Sequence, residues 1–251
     1  MLAGSVVSPA KPMSEAIAII LICPIATLIS ATFGFGAALV AMPLLTIAVG
    51  LQTAIPLFGL MAATITLIIA SLSWRQMQWS SVWRLVTASC LGIPIGLLGV
   101  RFIPEAIVLR GVGTVLISFG LFRLVQLPLP RLKHPNWAFG FGFLAGVLGG
   151  AYNTAGPPVL IYGSACQWSP QKFRATLQGY FCPTAIGIMI SHGLSGLWTM
   201  AIAQLYFMAL PGALGGLVLG NWIHQRLPQR SFQTLVSALV ISLGSLLWLR
   251  S

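Results

Sequence analysis

The chain has 251 residues, of which 57% are hydrophobic and only 6% are charged. A soluble domain carries about 25% charged residues, so this composition excludes an ordinary soluble protein. It predicts a multi-pass protein of a bacterial-type plasma (inner) membrane, with the lipid bilayer covering most of its surface. The net charge is +11, but the basic residues lie beside the ends of apolar segments, as cytoplasmic loops require. We therefore expect no nucleic-acid partner.

Ten apolar segments follow one another along the chain. They cover residues 16–33, 37–51, 54–73, 82–100, 106–126, 136–150, 157–166, 175–191, 201–222 and 232–249. A full membrane span needs about 20 residues, so the three shortest segments (37–51, 136–150 and 157–166) are predicted to be half-helices or re-entrant arms. The predicted fold class is an all-α polytopic membrane protein.

A broken apolar pattern occurs twice. The stretch FGFGAALVAMPLL at 33–45 returns in altered form as GVLGGAYNTAGPPVL at 146–160. In this alignment Gly34 falls on Gly149 and Pro43 falls on Pro158. Each copy is a glycine-rich break that ends in proline. Two such breaks in corresponding halves of a membrane chain predict a transporter built by duplication, with its substrate site where the breaks meet.

The duplication predicts a division of the chain. The predicted parts are an N-terminal tail (1–15), a first transmembrane repeat (16–126), a cytoplasmic linker (127–135) and a second transmembrane repeat (136–251). Each repeat holds five segments, an odd number, so the second repeat is expected to be inverted relative to the first. Four basic loops then face the cytoplasm, and both termini lie outside.

Catalytic chemistry is poorly represented. The two acids, Glu15 and Glu105, lie at segment ends, and the three histidines are far apart without metal-ligand spacing. The four cysteines form no CxxC pair. We therefore predict that the protein is not an enzyme and uses no cofactor or metal.

The main chain of the second break is the first candidate binding element. Around Gly149, Gly150 and Gly156 no Cβ atom keeps a ligand from the backbone. Pro158 and the proline before it favour the start of a helix. The positive end of such a helix would point into the break and attract an anion.

Polar side chains at the breaks are the second source of hydrogen-bond donors. Asn153 and Thr154 interrupt the second apolar copy, and capping a helix or joining two helices is an equally good interpretation of them. In the first copy, Thr32 precedes Gly34 and Gly36, while packing is favoured for the neighbouring phenylalanines.

A basic residue stands close to the second break in sequence. In KFRATLQGYF at 172–181, Arg174 and Gln178 have i, i+4 spacing and share one helix face. Arg174 either draws anions to the cytoplasmic mouth or anchors the helix at the membrane surface, and the anchor is slightly favoured. The candidate substrate-binding residues are Thr32, Gly34, Gly36, Pro43, Gly149, Gly150, Asn153, Thr154, Gly156, Pro158, Arg174 and Gln178.

Two series of closely spaced glycines allow helices to approach each other. They are Gly92, Gly96 and Gly99, and Gly212, Gly216 and Gly220. Packing within one protomer is the favoured interpretation, and a homodimer interface is the alternative.

The paired signature, with GVLGGAYNTAGPPVLIYG in the second half followed by KFRAT, resembles the TauE/SafE family of sulfite exporters and related anion permeases. The resemblance runs from about residue 16 to residue 249. It implies a transporter of sulfite, sulfonates or other sulfur-containing organic anions. We expect a secondary transporter of a small anion that works by alternating access between two inverted repeats. The alternatives are an anion channel and a membrane scaffold without transport. The scarcity of acids in the spans argues against a cationic substrate.

Overall fold

The computed structural model describes residues 12–73, 77–125, 129–132, 134–224 and 229–250, and this part of the chain forms ten α-helices and no strand. The helices are α1 (Pro12–Phe33), α2 (Ala37–Val49), α3 (Leu51–Ser73), α4 (Trp79–Phe102), α5 (Glu105–Val125), α6 (Trp137–Tyr152), α7 (Gly156–Ala165), α8 (Pro170–Leu194), α9 (Met200–His224) and α10 (Gln229–Arg250). Each predicted segment corresponds to one helix, so the all-α prediction is confirmed. Most of the predicted tail and part of the predicted linker lie outside the described residues, and the division into repeats stays a prediction.

Helix lengths separate the spanning elements from the short ones. In the described residues, α1, α3, α4, α5 and α9 are long and apolar enough to cross a membrane. By contrast, α2, α6 and α7 have 13, 16 and 10 residues, which corresponds to about 15–24 Å against a hydrocarbon core of about 30 Å. The three segments predicted to be short are therefore short. Helix α8 has 25 residues but carries a polar inner face.

The principal helix packings are related by exchange of the first five helices with the last five. Helix α1 packs on α9, and α6, the counterpart of α1, packs on α4, the counterpart of α9. Helix α3 packs on its own counterpart α8, and α5 packs on its counterpart α10. This arrangement is what two repeats related by a two-fold axis produce.

Glycines form the closest helix contacts within the chain. A Cβ atom at Gly92 or Gly96 in α4 would meet the backbone of α6 near Val147, and one at Gly216 in α9 would meet α1 at Pro24. Gly212 and Gly220 face the same helix α1. These five glycines therefore serve packing within one chain, as expected from the sequence.

The two breaks are equivalent in a different alignment from the predicted one. After α1, the N–H of Gly34 donates to Ser30 O at 2.7 Å, and after α6 the N–H of Asn153 donates to Gly149 O at the same distance. Both residues are left-handed, with φ of +81° and +53°. The structural counterpart of Gly34 is thus Asn153, so the alignment with Gly149 is wrong by one helical turn. Asparagine, like glycine, adopts this conformation at low cost, which hides the equivalence from a search for matching glycines.

Candidate functional site

The two breaks line one cavity between α3 and α8. Its volume is about 80 Å³, and its wall includes Gly36, Ala37 and Ala38 from the first break and Asn153 and Gly156 from the second. A water molecule needs roughly 10–15 Å³ on this scale. The cavity therefore has room for several waters or for one small oxyanion.

The N-terminus of α2 supplies main-chain donors to this cavity. No side chain in the described residues caps the helix at Gly36, and the helical hydrogen bond that ends on Gly36 O comes from Val40 N at 3.3 Å. The N–H groups of Ala37, Ala38 and Leu39 precede that bond, and all three residues lie in the cavity wall. These are the unpaired donors of a helix start, where the helix dipole also favours negative charge.

The N-terminus of α7 reaches the same cavity with fewer donors. Helix α7 begins at Gly156, again without a side-chain cap in the described residues. Pro157 and Pro158 follow directly, and neither has an N–H group. Helix α7 therefore contributes its dipole and the Gly156 N–H, while α2 provides most of the donors.

Hydroxyl groups in the cavity wall are largely committed to their own helices. Thr66 donates to Ala62 O at 2.7 Å, and Thr184 donates to Tyr180 O at 2.7 Å. Ser30 is the third hydroxyl residue in the wall. Because the two threonine protons are already used, main-chain N–H groups are the better donors for an anion.

Two amide side chains tie the breaks to the neighbouring long helices. Asn153 Nδ2 donates to Ile55 O in α3 at 2.8 Å, and Gln178 Nε2 donates to Gly34 O at 2.6 Å. Both residues also line the cavity. Gln178 Oε1 is buried and has no hydrogen-bond partner among the described residues. The cavity thus depends on side chains of one repeat that hold the backbone of the other.

Arg174 lies against the first break. Its Nη2 donates to Ala31 O at 2.7 Å, so a positive charge sits at the C-terminal end of α1, where the helix dipole is negative. A Cβ atom at Gly34 would come within 2.7 Å of Arg174 Cγ. Glycine is therefore favoured at position 34 for two reasons, the left-handed backbone and the nearby Arg174 side chain.

A second guanidinium lies on the other side of the same break. The Arg123 guanidinium carbon lies 5.3 Å from the centroid of the Phe35 ring. The two acids of the chain stand far from Arg123 along their helices. Glu15 and Glu105 lie in the first turns of α1 and α5, whereas Arg123 lies in the last turn of α5. Arg174 and Arg123 thus place positive charge at the first break, whereas Glu15 and Glu105 stand at other helix ends.

Some predicted site residues lie outside the cavity wall. The Thr32 hydroxyl is 2.8 Å from Leu28 O and 3.1 Å from Gly220 O, and therefore joins α1 to α9. A Cβ atom at Gly150 would meet the backbone of Ile93 in α4. These two residues contribute to helix packing, and their part in binding stays a prediction.

Four more predicted residues support the breaks from behind. Gly149 lies inside α6 against Ile188, and the Thr154 hydroxyl donates to Tyr152 O at 3.0 Å. Pro43 and Pro158 are buried within α2 and α7. None of the four lies in the described cavity wall, and their part in binding stays a prediction.

Sequence reasoning missed several wall residues. Phe35 lines the cavity, although packing was favoured for it, and so do Phe181 and Thr184 on α8. The available signal was helical spacing: counting on from Gln178 by three or four residues leads to Phe181, Ala185 and Ile188 on one face. No comparable signal marks Thr66 in α3.

A wider, open cavity of about 460 Å³ lies where the start of α4 meets the chain before α6. Arg84, Arg131 and His134 contribute to its wall, and we call this side of the molecule the basic end. It contains neither break, so size alone does not identify the site. Its charge would raise the local concentration of anions at this end.

Comparison with known proteins identifies the family of the chain. Residues 19–247 match the family model described as sulfite exporter TauE/SafE. The chain is 26% identical over 177 residues to the probable inner membrane transporter protein TsaS of Comamonas testosteroni, covering 69% of this chain and 73% of that protein. No solved structure gives a significant match. The chain is therefore a multi-pass inner-membrane transporter that belongs to the sulfite exporter TauE/SafE family.

Proposed function

We propose that the protein is a secondary transporter that binds a small oxyanion, such as sulfite or a sulfonate, in the cavity between the two breaks. The observation that carries the proposal is that the uncapped N-termini of α2 and α7 line one cavity. Helix N-termini with free N–H groups bind oxyanions without needing a charged side chain. The family name supports a sulfur oxyanion as the cargo.

The charges around the cavity favour an anion over other solutes. The chain has 13 Lys and Arg residues but two acids, and both acids begin helices rather than lining the cavity. A cation would meet positive helix ends and gain no carboxylate ligand. The cavity therefore suits a solute with negative charge.

The way the breaks are held supports alternating access. Gln178 of the second repeat holds Gly34 of the first, and Asn153 of the second holds Ile55 of the first. A relative movement of the repeats would break and remake such contacts around a fixed site, which is the usual behaviour of inverted-repeat transporters. An anion channel would leave the pathway continuous instead.

The binding test is thermal stabilisation of the purified protein by sulfite, thiosulfate, methanesulfonate, taurine and acetate. We expect the sulfur oxyanions to raise the unfolding temperature in a saturable way, because a ligand that binds the folded state stabilises it. Saturable uptake of the same anions into proteoliposomes would then separate a transporter from a channel or a scaffold. No stabilisation by any member of the panel would contradict the proposal.

A charge placed in the cavity makes this test specific. Ala38→Asp puts a carboxylate beside the free N–H groups of α2, where it would compete with added anions and stabilise the helix start by about 0.3–1 kcal/mol. We expect this variant to unfold at a higher temperature and to lose the anion effect. Ala38→Asn has nearly the same shape without the charge, and should keep the anion effect. Equal responses of the two variants would move the anion site elsewhere.

A further inference from the structure

A second, smaller space lies directly behind the cavity wall. It has a volume of about 10 Å³, and Phe33, Phe35 and Arg123 line it together with residues from the middle of α10. Phe35 and Leu39 belong to the walls of both spaces. The Phe35 ring therefore divides the cavity between the breaks from the space that holds Arg123.

The position of Arg123 gives this space a direction. Arg123 stands in the last turn of α5, and the opposite wall includes Val236 and Ser237 from the middle of α10. The chain that follows α5 carries Arg131 and Lys133, basic residues of the kind expected on the cytoplasmic side. Within α5, Arg123 thus marks the side of the space that faces this basic loop.

Phe35 belongs to neither helix at the first break, so a change of its rotamer would break no helical hydrogen bond. It lies between Gly34 and Gly36, whose φ values are +81° and +102°, and therefore outside both α1 and α2. The ring is buried in the hydrophobic core, makes an edge contact with Phe33 at 6.4 Å between centroids, and lies 5.3 Å from the Arg123 guanidinium carbon. A cation over an aromatic face contributes modest stabilisation, so the contact with Arg123 favours the position that the ring has in the structure.

We propose that Arg123 forms a second anion site, in series with the cavity, and that the Phe35 ring is the partition between the two. The space beside Arg123 holds about one water when the ring is in place, so an oxyanion reaches the guanidinium only when the ring swings aside. The guanidinium then exchanges its contact with the ring for hydrogen bonds to the oxyanion, which it can donate in a bidentate manner. The inference rests on the proposed function for the direction of use, but its test does not require transport.

The test uses a cysteine reporter in the cavity. Ser30 is 6% exposed and lines the cavity, so Ser30→Cys is introduced after replacement of the four native cysteines. Two methanethiosulfonate reagents of similar size, one with a sulfonate and one with a trimethylammonium group, are added from the basic side of membrane vesicles. The rate of labelling reports how easily each charge reaches the cavity.

Removal of the partition should open the path. We expect Phe35→Ala to speed labelling by the sulfonate reagent by about tenfold, as removal of a closing element does, and Phe35→Leu to give an intermediate rate. Phe33→Ala is the matched control, because Phe33 lines the Arg123 space but not the cavity, and its rate should stay within about twofold of the parent. Unchanged rates for both Phe35 variants, or an equal increase for Phe33→Ala, would overturn the partition.

Removal of the guanidinium should change the charge preference. In the Phe35→Ala background, Arg123→Gln is expected to lower the ratio of sulfonate to trimethylammonium labelling by roughly fivefold to tenfold, because the nearby positive charge is lost. An unchanged ratio would overturn the second anion site. If the labelling ratio falls while no anion stabilises the purified protein, the second anion site stands and the proposed function fails. If anions stabilise the purified protein while the labelling ratio is unchanged, the proposed function stands and the second anion site is wrong.

Discussion

Single residues at the first break carry both backbone and packing constraints. Gly34 combines a φ of +81° with a neighbour, Arg174 Cγ, that leaves no room for a Cβ atom. At the second break Asn153 takes the equivalent left-handed position and adds a hydrogen bond to Ile55 O. Glycine and asparagine thus both provide the left-handed conformation that ends the helix before each break, and each residue makes a further contact of its own.

Gly34→Ala should lower the unfolding temperature more than Gly196→Ala does. Both glycines have positive φ, +81° and +72°, but nothing lies within 4 Å of a Cβ atom at Gly196. Both variants bear about 1–2 kcal/mol of conformational strain, and Gly34→Ala bears a further cost of about 1–3 kcal/mol from overpacking. The check is thermal unfolding in detergent, followed by tryptophan fluorescence. Equal losses would mean that Arg174 moves aside freely.

Arg174→Gln should destabilise the protein, whereas Lys172→Gln should not. Arg174 donates to Ala31 O at the C-terminal end of α1, and loss of a hydrogen bond from a charged donor costs about 1.5–3 kcal/mol. Lys172 lies two residues earlier in the same helix turn and serves as the charge-matched control. Thermal unfolding and the anion response are measured together. A loss of anion response with no loss of stability would place Arg174 in the binding site itself.

At the scale of elements, interdigitated glycines hold the helix pairs that support the breaks. Gly142 and Gly146 of α6 pack on Leu85 and Ser89 of α4, where Cβ atoms would collide with the backbone. Helices α1 and α6, which end at the breaks, are therefore fixed along their length by α9 and α4. Among the described residues, no glycine of α2 or α7 comes this close to the backbone of another helix.

The neighbouring glycines of α9 test this clamp directly. A Cβ atom at Gly216 would meet Pro24 O and Thr27 Oγ1 in α1, whereas nothing lies within 4 Å of one at Gly215. Gly216→Ala should therefore cost about 1–3 kcal/mol through overpacking. Gly215→Ala should be neutral or stabilising by about 0.5–1 kcal/mol, since alanine favours a helix. Chemical or thermal unfolding in detergent gives the comparison, and similar behaviour of the two variants would argue against close α1–α9 packing.

At the scale of the whole molecule, the packing of the ten described helices places the N-termini of α2 and α7 against one cavity. Arg84 and Arg131 place positive charge at the basic end. An anion that leaves a cell with a negative interior gains about 2.3 kcal/mol per charge for every 100 mV. The described cavity wall holds no carboxylate or histidine that could carry a coupling proton. The proposed anion transport therefore has no titratable side chain in this wall for a coupling proton, and we predict that the membrane potential drives it.

Efflux from proteoliposomes should follow the membrane potential. With sulfite or methanesulfonate inside, a potassium diffusion potential that makes the interior negative should accelerate efflux, and the reverse potential should slow it, by roughly the factor that 2.3 kcal/mol per 100 mV implies if charge movement limits the rate. Ala38→Asp provides the inactive control. Strict dependence on an imposed proton or sodium gradient would contradict uncoupled export.

The sequence by itself determined the class of protein, the ten helices and the existence of two breaks. Too few charges are present to make a water-exposed surface, and apolar length sets which helices can span. Short segments between glycine and proline were enough to predict interrupted elements. These properties are local, so composition and spacing record them.

Tertiary structure alone decided which residues of those breaks face the cavity. Gly150 was predicted as a binding residue, but it packs on the backbone of Ile93 in α4, and Gly149 lies behind the wall residues Ile188 and Ala155. Thr66 and Phe35 line the cavity wall although they were not predicted to do so. Asn153 takes the left-handed position of the second break. Some glycines permit close helix packing and others permit a positive φ, and the sequence shows the same residue in both cases. Only the neighbouring residues in the fold distinguish the two roles.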